Sequence, residues 1–308
     1  MIILRSEELL VDVYPERGFL IGQIRSILVD RNLLWTKVPE ESFRGELGPR
    51  GLASVARFHR EFSGGWFPMY PTAGLPGYIG NEPTWHHGEA ARLPWRVSAS
   101  QDENRVRAEV LLSGDRLNLV RMLSLDRATL TVRSQLTNMG DSAVVWSAGE
   151  HPCFDRSAFA GGNILLDSAQ SWIPFPHYDP LHASLCAGSR FEWPHAPTLH
   201  GHRLDLSKVP HSRCKRHEHV ALCLRSSDIL VQAPELGINV RLSIDQNLPY
   251  MLLWEYFDDK VHDVFAVELC SASGRSVGEA FESDSMQVLE PGAMVEFGLS
   301  LRVENCLD

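Results

Sequence analysis

Polar and apolar positions alternate with a period of two along most of this chain. Across 105–110, Arg105, Arg107 and Glu109 alternate with Val106, Ala108 and Val110, the pattern of a strand with one wet face and one buried face. The stretches 129–136 and 238–244 repeat it, and Asn138-Met139-Gly140 supplies a turn before a further strand over 144–148. Strands are also predicted over 9–13, 19–28, 117–125, 164–166, 220–224, 229–232, 250–256, 264–268 and 295–303. Gly, Pro, Asn and Asp punctuate them at short intervals. The predicted fold class is therefore all-β, an antiparallel sandwich or barrel built from meanders. Helical periodicity is scarce, and its best candidate is a short segment over 51–62.

Two segments break the alternation. The first, 64–95, is rich in Gly, Pro and aromatic residues; the second, 171–219, holds eight of the thirteen histidines and many prolines. Long irregular segments in a regular domain commonly form binding loops or lids. The first is the stronger site candidate, because aromatics, glycines and an acid–histidine cluster coincide there. The second reads equally well as a loosely ordered surface excursion.

Composition narrows the function classes. Of 308 residues, 44% are hydrophobic and 22% charged, which is ample for a large core in one domain over 1–308 and carries no signature of disorder. The formal net charge of −10 argues against nucleic acid and anionic membrane as partners, since a phosphate backbone is held by clustered Lys and Arg. No stretch approaches the roughly 18 uncharged apolar residues of a membrane-spanning helix, and the N-terminus lacks a signal-peptide pattern. The six cysteines are scattered, with no C-x-x-C pair, as in free thiols of a reducing compartment. The expected location is cytoplasmic. Oligomeric state has no signature.

Three clusters combine ionisable side chains with predicted strand ends: Trp85-His86-His87-Gly88-Glu89, Gly149-Glu150-His151-Pro152-Cys153-Phe154, and Phe265-Ala266-Val267-Glu268-Leu269. Glu268 interrupts an apolar strand and faces the same side as Val264 and Ala266. A carboxylate there is either a structural group salt-bridged to an Arg or a general base whose pKa is set by partial burial. His151 precedes Pro152, which holds it in extended geometry at a strand end. It is either a hydrogen-bonded structural histidine or a proton-transfer group. His86 and His87 are adjacent, so on a strand only one of them would reach a shared site.

These clusters, in this order, resemble the aldose 1-epimerase (galactose mutarotase-like) family. Gly64-Gly65-Trp66 followed by Tyr70-Pro71-Thr72-Ala73-Gly74 is similar to the GGW…PNAG stretch. His87-Gly88-Glu89-Ala90 with Pro94-Trp95 resembles the HGE…PW element, and Gly149–Phe154 resembles the element that carries a catalytic histidine. Phe265–Glu268 resembles the strand of the catalytic glutamate, and Leu289-Glu290-Pro291-Gly292 the L-x-PGE turn before the last strand. The matches span nearly the whole chain in the family's order.

The resemblance implies a large antiparallel β-supersandwich that holds a small-molecule carbohydrate and works without a cofactor or metal. It implies Glu268 as the base for the anomeric hydroxyl and His151 as the acid for the ring oxygen. His87, Glu89 and Arg57 would contact the substrate, and Trp66, Trp85 and Trp254 are candidates for stacking on the sugar. The chain departs from the family at Thr72, where Asn is usual, at Glu150, where a second His is usual, and at a sugar-binding Asp. Glu218 and Asp179 are poor stand-ins for that Asp. A phosphorylated sugar would need a cationic pocket, to which Arg57 and Arg60 would have to converge. The competing readings are a sugar-binding protein without turnover, a metal-dependent cupin-like enzyme drawing on His86, His87 and Glu89 and on His217 and His219, and a glycoside hydrolase, which would need a second carboxylate.

Overall fold

A computed structural model describes residues 1–37, 47–98, 102–114, 116–173, 183–211, 214–244, 247–258 and 262–306. Among these, the strands assemble into two large sheets in which the pairings are antiparallel. The larger sheet orders its strands Ile2–Arg5, Leu9–Tyr14, Leu20–Ser26, Trp66–Met69, Gly149–Asp155, Asp263–Cys270, Tyr250–Phe257, Arg216–Leu224, Ser168–Trp172 and Arg190–Phe191. The second runs Ile164–Leu165, Asp228–Ala233, Ile238–Ile244, Met294–Asn305, Thr129–Asn138, Leu117–Asp126, Arg105–Leu112 and Arg96–Val97. The predicted all-β architecture is thus the observed one. The predicted helix is present as Leu52–Glu61.

Alternation decides which side of each strand meets the core. In Leu117–Asp126, Leu117, Leu119, Leu123 and Leu125 are buried, and so, in the same register, is Arg121. The main apolar core lies between the sheets and joins these leucines to Trp66, Phe154, Phe265, Val267 and Leu269 of the larger sheet. The guanidinium of Arg121, fully buried, crosses this core to the carboxylate of Glu150, which also accepts from Trp66 Nε1 at 2.8 Å. An ion pair so placed is paired and hydrogen-bonded on several sides, which is the condition for burying charge.

A second, smaller apolar cluster covers the outer face of the larger sheet. It comprises Phe67, Met69, Cys153, Leu252, Val264, Ala266 and Cys270, with Phe58, Phe62 and Trp254 packed on it. The segment 183–211 is firmly held rather than a loose excursion. It forms the hairpin His195–Pro197 with Arg203–Asp205 and sends Leu185, Ala196, Leu206 and Val209 into the main core. The ends of that predicted loop are strands of the larger sheet, Ser168–Trp172 and Arg216–Leu224, while 174–182, Asp179 included, and 212–213 lie outside the described residues.

Candidate active site

The two middle strands of the larger sheet hold the ionisable pair. Glu150 lies opposite Leu269 and Cys153 opposite Ala266. That register sets His151 across from Glu268. His151 is not at a strand end, as the Pro152 signal suggests, but inside Gly149–Asp155. Pro152 has no N–H to give, and the ladder to Asp263–Cys270 breaks at His151 and Pro152 and resumes at Cys153.

Both side chains leave the sheet on the outer face, with Cys153 and Ala266. His151 Nε2 stands 3.4 Å from Glu268 Oε1, and both side chains are almost fully buried. Desolvation penalises each charged form. It raises the Glu268 carboxyl to about 8 and lowers the His151 imidazole to about 3. Near neutral pH the pair therefore carries one proton, on the carboxyl, and no net charge.

The other nitrogen of His151 is also engaged. Cys153 Sγ lies 3.2 Å from Nδ1, and burial together with the Glu268 charge pushes the thiol well above its usual range. The sulfur keeps its hydrogen and accepts from Nδ1–H, which leaves Nε2 without hydrogen and facing the protonated Glu268 carboxyl. Phe67 stacks on the ring at 4.4 Å and fixes its plane. The expected outcome in nitrogen-15 NMR is a single Nδ1–H tautomer for His151 in the wild type. Cys153→Ala should give a mixture and Cys153→Ser should restore the single form; an unchanged spectrum in the alanine variant would show that the contact is packing alone.

A narrow cleft opens over this pair, with about 50 Å³ of free volume between its lining side chains. Its aromatic wall is Phe58 and Phe62 from the end of the Leu52–Glu61 helix, with Trp254 and Leu252 from the strand beside Glu268. Histidines line the rest: His59, His86, His87 and His219. His219 is on the pocket face of Arg216–Leu224, so Glu218 points away from it, accepting from Ser184 N and Oγ at 2.7 and 2.6 Å. Glu218 is no substitute for a sugar-reading Asp.

His86 and His87 both reach the cleft, contrary to the strand-based expectation. They sit on a turn, with His87 at φ 58° and Gly88 at φ 72°. A side chain at Gly88 would meet Tyr70 O at 2.2 Å, so only glycine lets the chain double back there. The two rings end 3.8 Å apart. Burial drives both imidazoles well below their usual range, so each is neutral, and the Nδ1 of each is buried without a partner among the described residues. Such nitrogens suit sugar hydroxyls, which both donate and accept.

Of the remaining candidates, Trp254 lines the cleft and four do not. Trp66 faces the inter-sheet core on Glu150. Trp85 donates to Gly48 O at 3.2 Å beneath the Arg50 guanidinium. Glu89 accepts from Ser113 N and Oγ at 2.8 and 2.9 Å, which ties the turn to the second sheet and removes the carboxylate from any set with His86 and His87. Arg57 is paired with Glu61 at 3.0 Å, and Arg60 approaches the same carboxylate, so neither supplies a cationic pocket. The cation in the wall is Arg275, which the sequence reading missed. Its partners in space, Gly74 and Leu75, lie two hundred residues away in sequence, and no local pattern marks it.

No protein-family model matches this chain, and no curated protein does. Solved structures do. A putative aldose 1-epimerase from Escherichia coli K12 superimposes with a TM-score of 0.70 at 18% identity, covering 99% of this chain and 98% of that one. A galactose mutarotase-like protein from Lactobacillus casei gives 0.68 at 16% identity, covering 99% and 100%. A protein from Synechocystis sp. PCC 6803 gives 0.72 at 15% identity, covering 98% and 95%. Over nearly its whole length, this chain has the galactose mutarotase-like fold.

Proposed function

We propose that the cleft interconverts the α and β anomers of an aldose. The observation that carries this reading is the juxtaposition of His151 and Glu268, directly opposed on adjacent strands and buried, 3.4 Å apart at the floor of a cleft lined by aromatic rings and histidines. Anomerisation asks for one group to accept the O1 proton and another to protonate the ring oxygen.

In the working state the shared proton sits on His151. Sugar hydroxyls that donate to the carboxylate and accept from the imidazolium favour this charge-separated form, because hydrogen bonding to a charged form offsets its desolvation. Glu268 then removes the O1 hydrogen while the C1–O5 bond breaks. The bond's electron pair goes to O5, and His151 delivers its proton there. The open aldehyde turns about C1–C2 and closes as the other anomer, with the proton transfers reversed. His86 and His87 would hold hydroxyls, and the apolar face of the ring would rest on Trp254 or the phenylalanine wall. The similarity of fold to putative aldose 1-epimerases supports the reading.

The test is anomer exchange followed by saturation-transfer NMR or polarimetry across a panel of aldoses, with the uncatalysed rate subtracted. Acceleration of at least one sugar is expected. Binding without acceleration of any sugar would replace this reading with that of a sugar-binding protein.

A further inference from the structure

The cleft contains one fixed charge that anomerisation does not require. Arg275 is 5% exposed in its wall. Its main chain is clamped: Leu75 N donates to Arg275 O at 2.7 Å, Arg275 N donates to Glu279 Oε2 at 2.8 Å, and a side chain at Gly74 would fall 2.2 Å from Arg275 O. A residue held this way from three sides presents its side chain in a set position. Its Nε, however, has no hydrogen-bond acceptor among the described residues. The Glu279 carboxylate stands 3.5 Å off and is partly in solvent, an incomplete counterion for a guanidinium so deeply placed.

The titratable groups lining the cleft add no further balancing charge to that of Glu279. Burial keeps His59, His86, His87 and His151 toward neutral, and raises Glu268 so that it holds a proton. The cleft wall thus presents a guanidinium whose counterion is the partly exposed Glu279, inside a chain of net charge −10. An anion entering the cleft would complete Arg275. A carboxylate matches in both charge and shape, since a planar guanidinium takes it through two parallel N–H···O bonds. A phosphate monoester, near −2 at neutral pH, would leave negative charge uncompensated next to Glu268.

We propose that the cleft selects an aldose bearing a single carboxylate, a uronate, whose carboxylate pairs with Arg275 while its anomeric carbon lies over His151 and Glu268. The choice of a sugar and of its anomeric end rests on the anomerase reading; the anion site does not.

The experiment measures binding and anomer exchange separately. D-glucuronate and D-galacturonate are compared with D-glucose, D-galactose and their 6-phosphates, on the wild type and on Arg275→Met and Arg275→Lys. The wild type is expected to bind a uronate at least tenfold more tightly than its parent aldose and than the 6-phosphate. Arg275→Met should bring the uronate-over-aldose ratio to about one, and Arg275→Lys should keep part of it, a point charge without the planar fork. Thermal melting establishes that each variant is folded, and Arg275→Lys decides the matter if Arg275→Met does not fold. Equal binding of uronate and aldose, tighter binding of a 6-phosphate, or a preference that survives Arg275→Met would overturn the proposal. A uronate bound with the expected preference but not anomerised would retain the anion site and defeat the anomerase reading alone.

Discussion

Replacing Glu268 with Gln is expected to lower the anomerisation rate by roughly 10²- to 10⁴-fold, the range for loss of a positioned proton-transfer group, and His151→Asn should do the same. The amide keeps the size and most of the polarity of the carboxyl, so a fold that melts at the wild-type temperature with this loss places the effect in the chemistry. The pH profile gives a sharper check. The pair works with one proton between its two members, a condition met between about 3, set by His151, and about 8, set by Glu268. Above the Glu268 value the second proton-accepting group is free but no proton remains for the ring oxygen. The kcat/KM of the wild type should therefore be flat through neutrality and fall tenfold per pH unit above about 8. In a coupled pair these values belong to the two groups together, so neither variant should retain the alkaline limb. Near-wild-type turnover in Glu268→Gln, or the same limb in both variants, would remove the pair from the mechanism.

The second large effect concerns stability. Arg121→Met leaves the Glu150 carboxylate buried with the Trp66 indole and without its counter-charge. Breaking a buried pair in this way costs about 3–5 kcal/mol, which in a chain of this size lowers Tm by roughly 10 °C. The double variant Arg121→Met with Glu150→Leu removes both charges and should recover most of that loss, because apolar groups of similar volume can replace a buried pair at little cost. Differential scanning calorimetry of the two single variants and the double variant measures the coupling directly. Additive losses would show that the contact across the core contributes nothing beyond its parts.

The strands were readable because half-buried strands alternate. That period carried over to the sheet positions of 105–112, 117–126, 129–138 and 238–244, whereas 263–270 is buried on both faces. Glu268 was conspicuous there, as a carboxylate in a run that otherwise buries apolar residues. Arg121 offered a matching signal that the sequence reading passed over, an arginine in the buried register between Leu119 and Leu123.

The motifs that suggested the fold turn out to serve the scaffold more than the cleft. Trp66 anchors Glu150, Glu89 binds Ser113, and Trp95 donates to Ala90 O at 3.0 Å and stacks on Phe19. A core makes stringent demands on such residues, and residue type alone does not separate them from substrate contacts. His86, His219 and Arg275 were hidden for another reason. They converge only through a left-handed turn at His87, a strand register across four chains of the sheet, and a loop returning to Gly74.

The strand Gly149–Asp155 has a consequence for how this protein can change. Glu150 belongs to the inter-sheet core and His151 to the cleft, one residue apart on opposite faces. Because neighbouring residues on a strand never share a face, the cleft and the core draw on different letters of the same sequence. Substitutions at cleft-facing positions such as Leu252, Trp254 or His219 can retune which ligand is accepted while the ion pair behind the sheet stays in place. Insertion or deletion of a single residue in this strand does the opposite. It would carry His151 into the core and Glu150 into the cleft at one stroke unless a bulge took up the change, as the register shift between Asp12 and Val13 does in the same sheet.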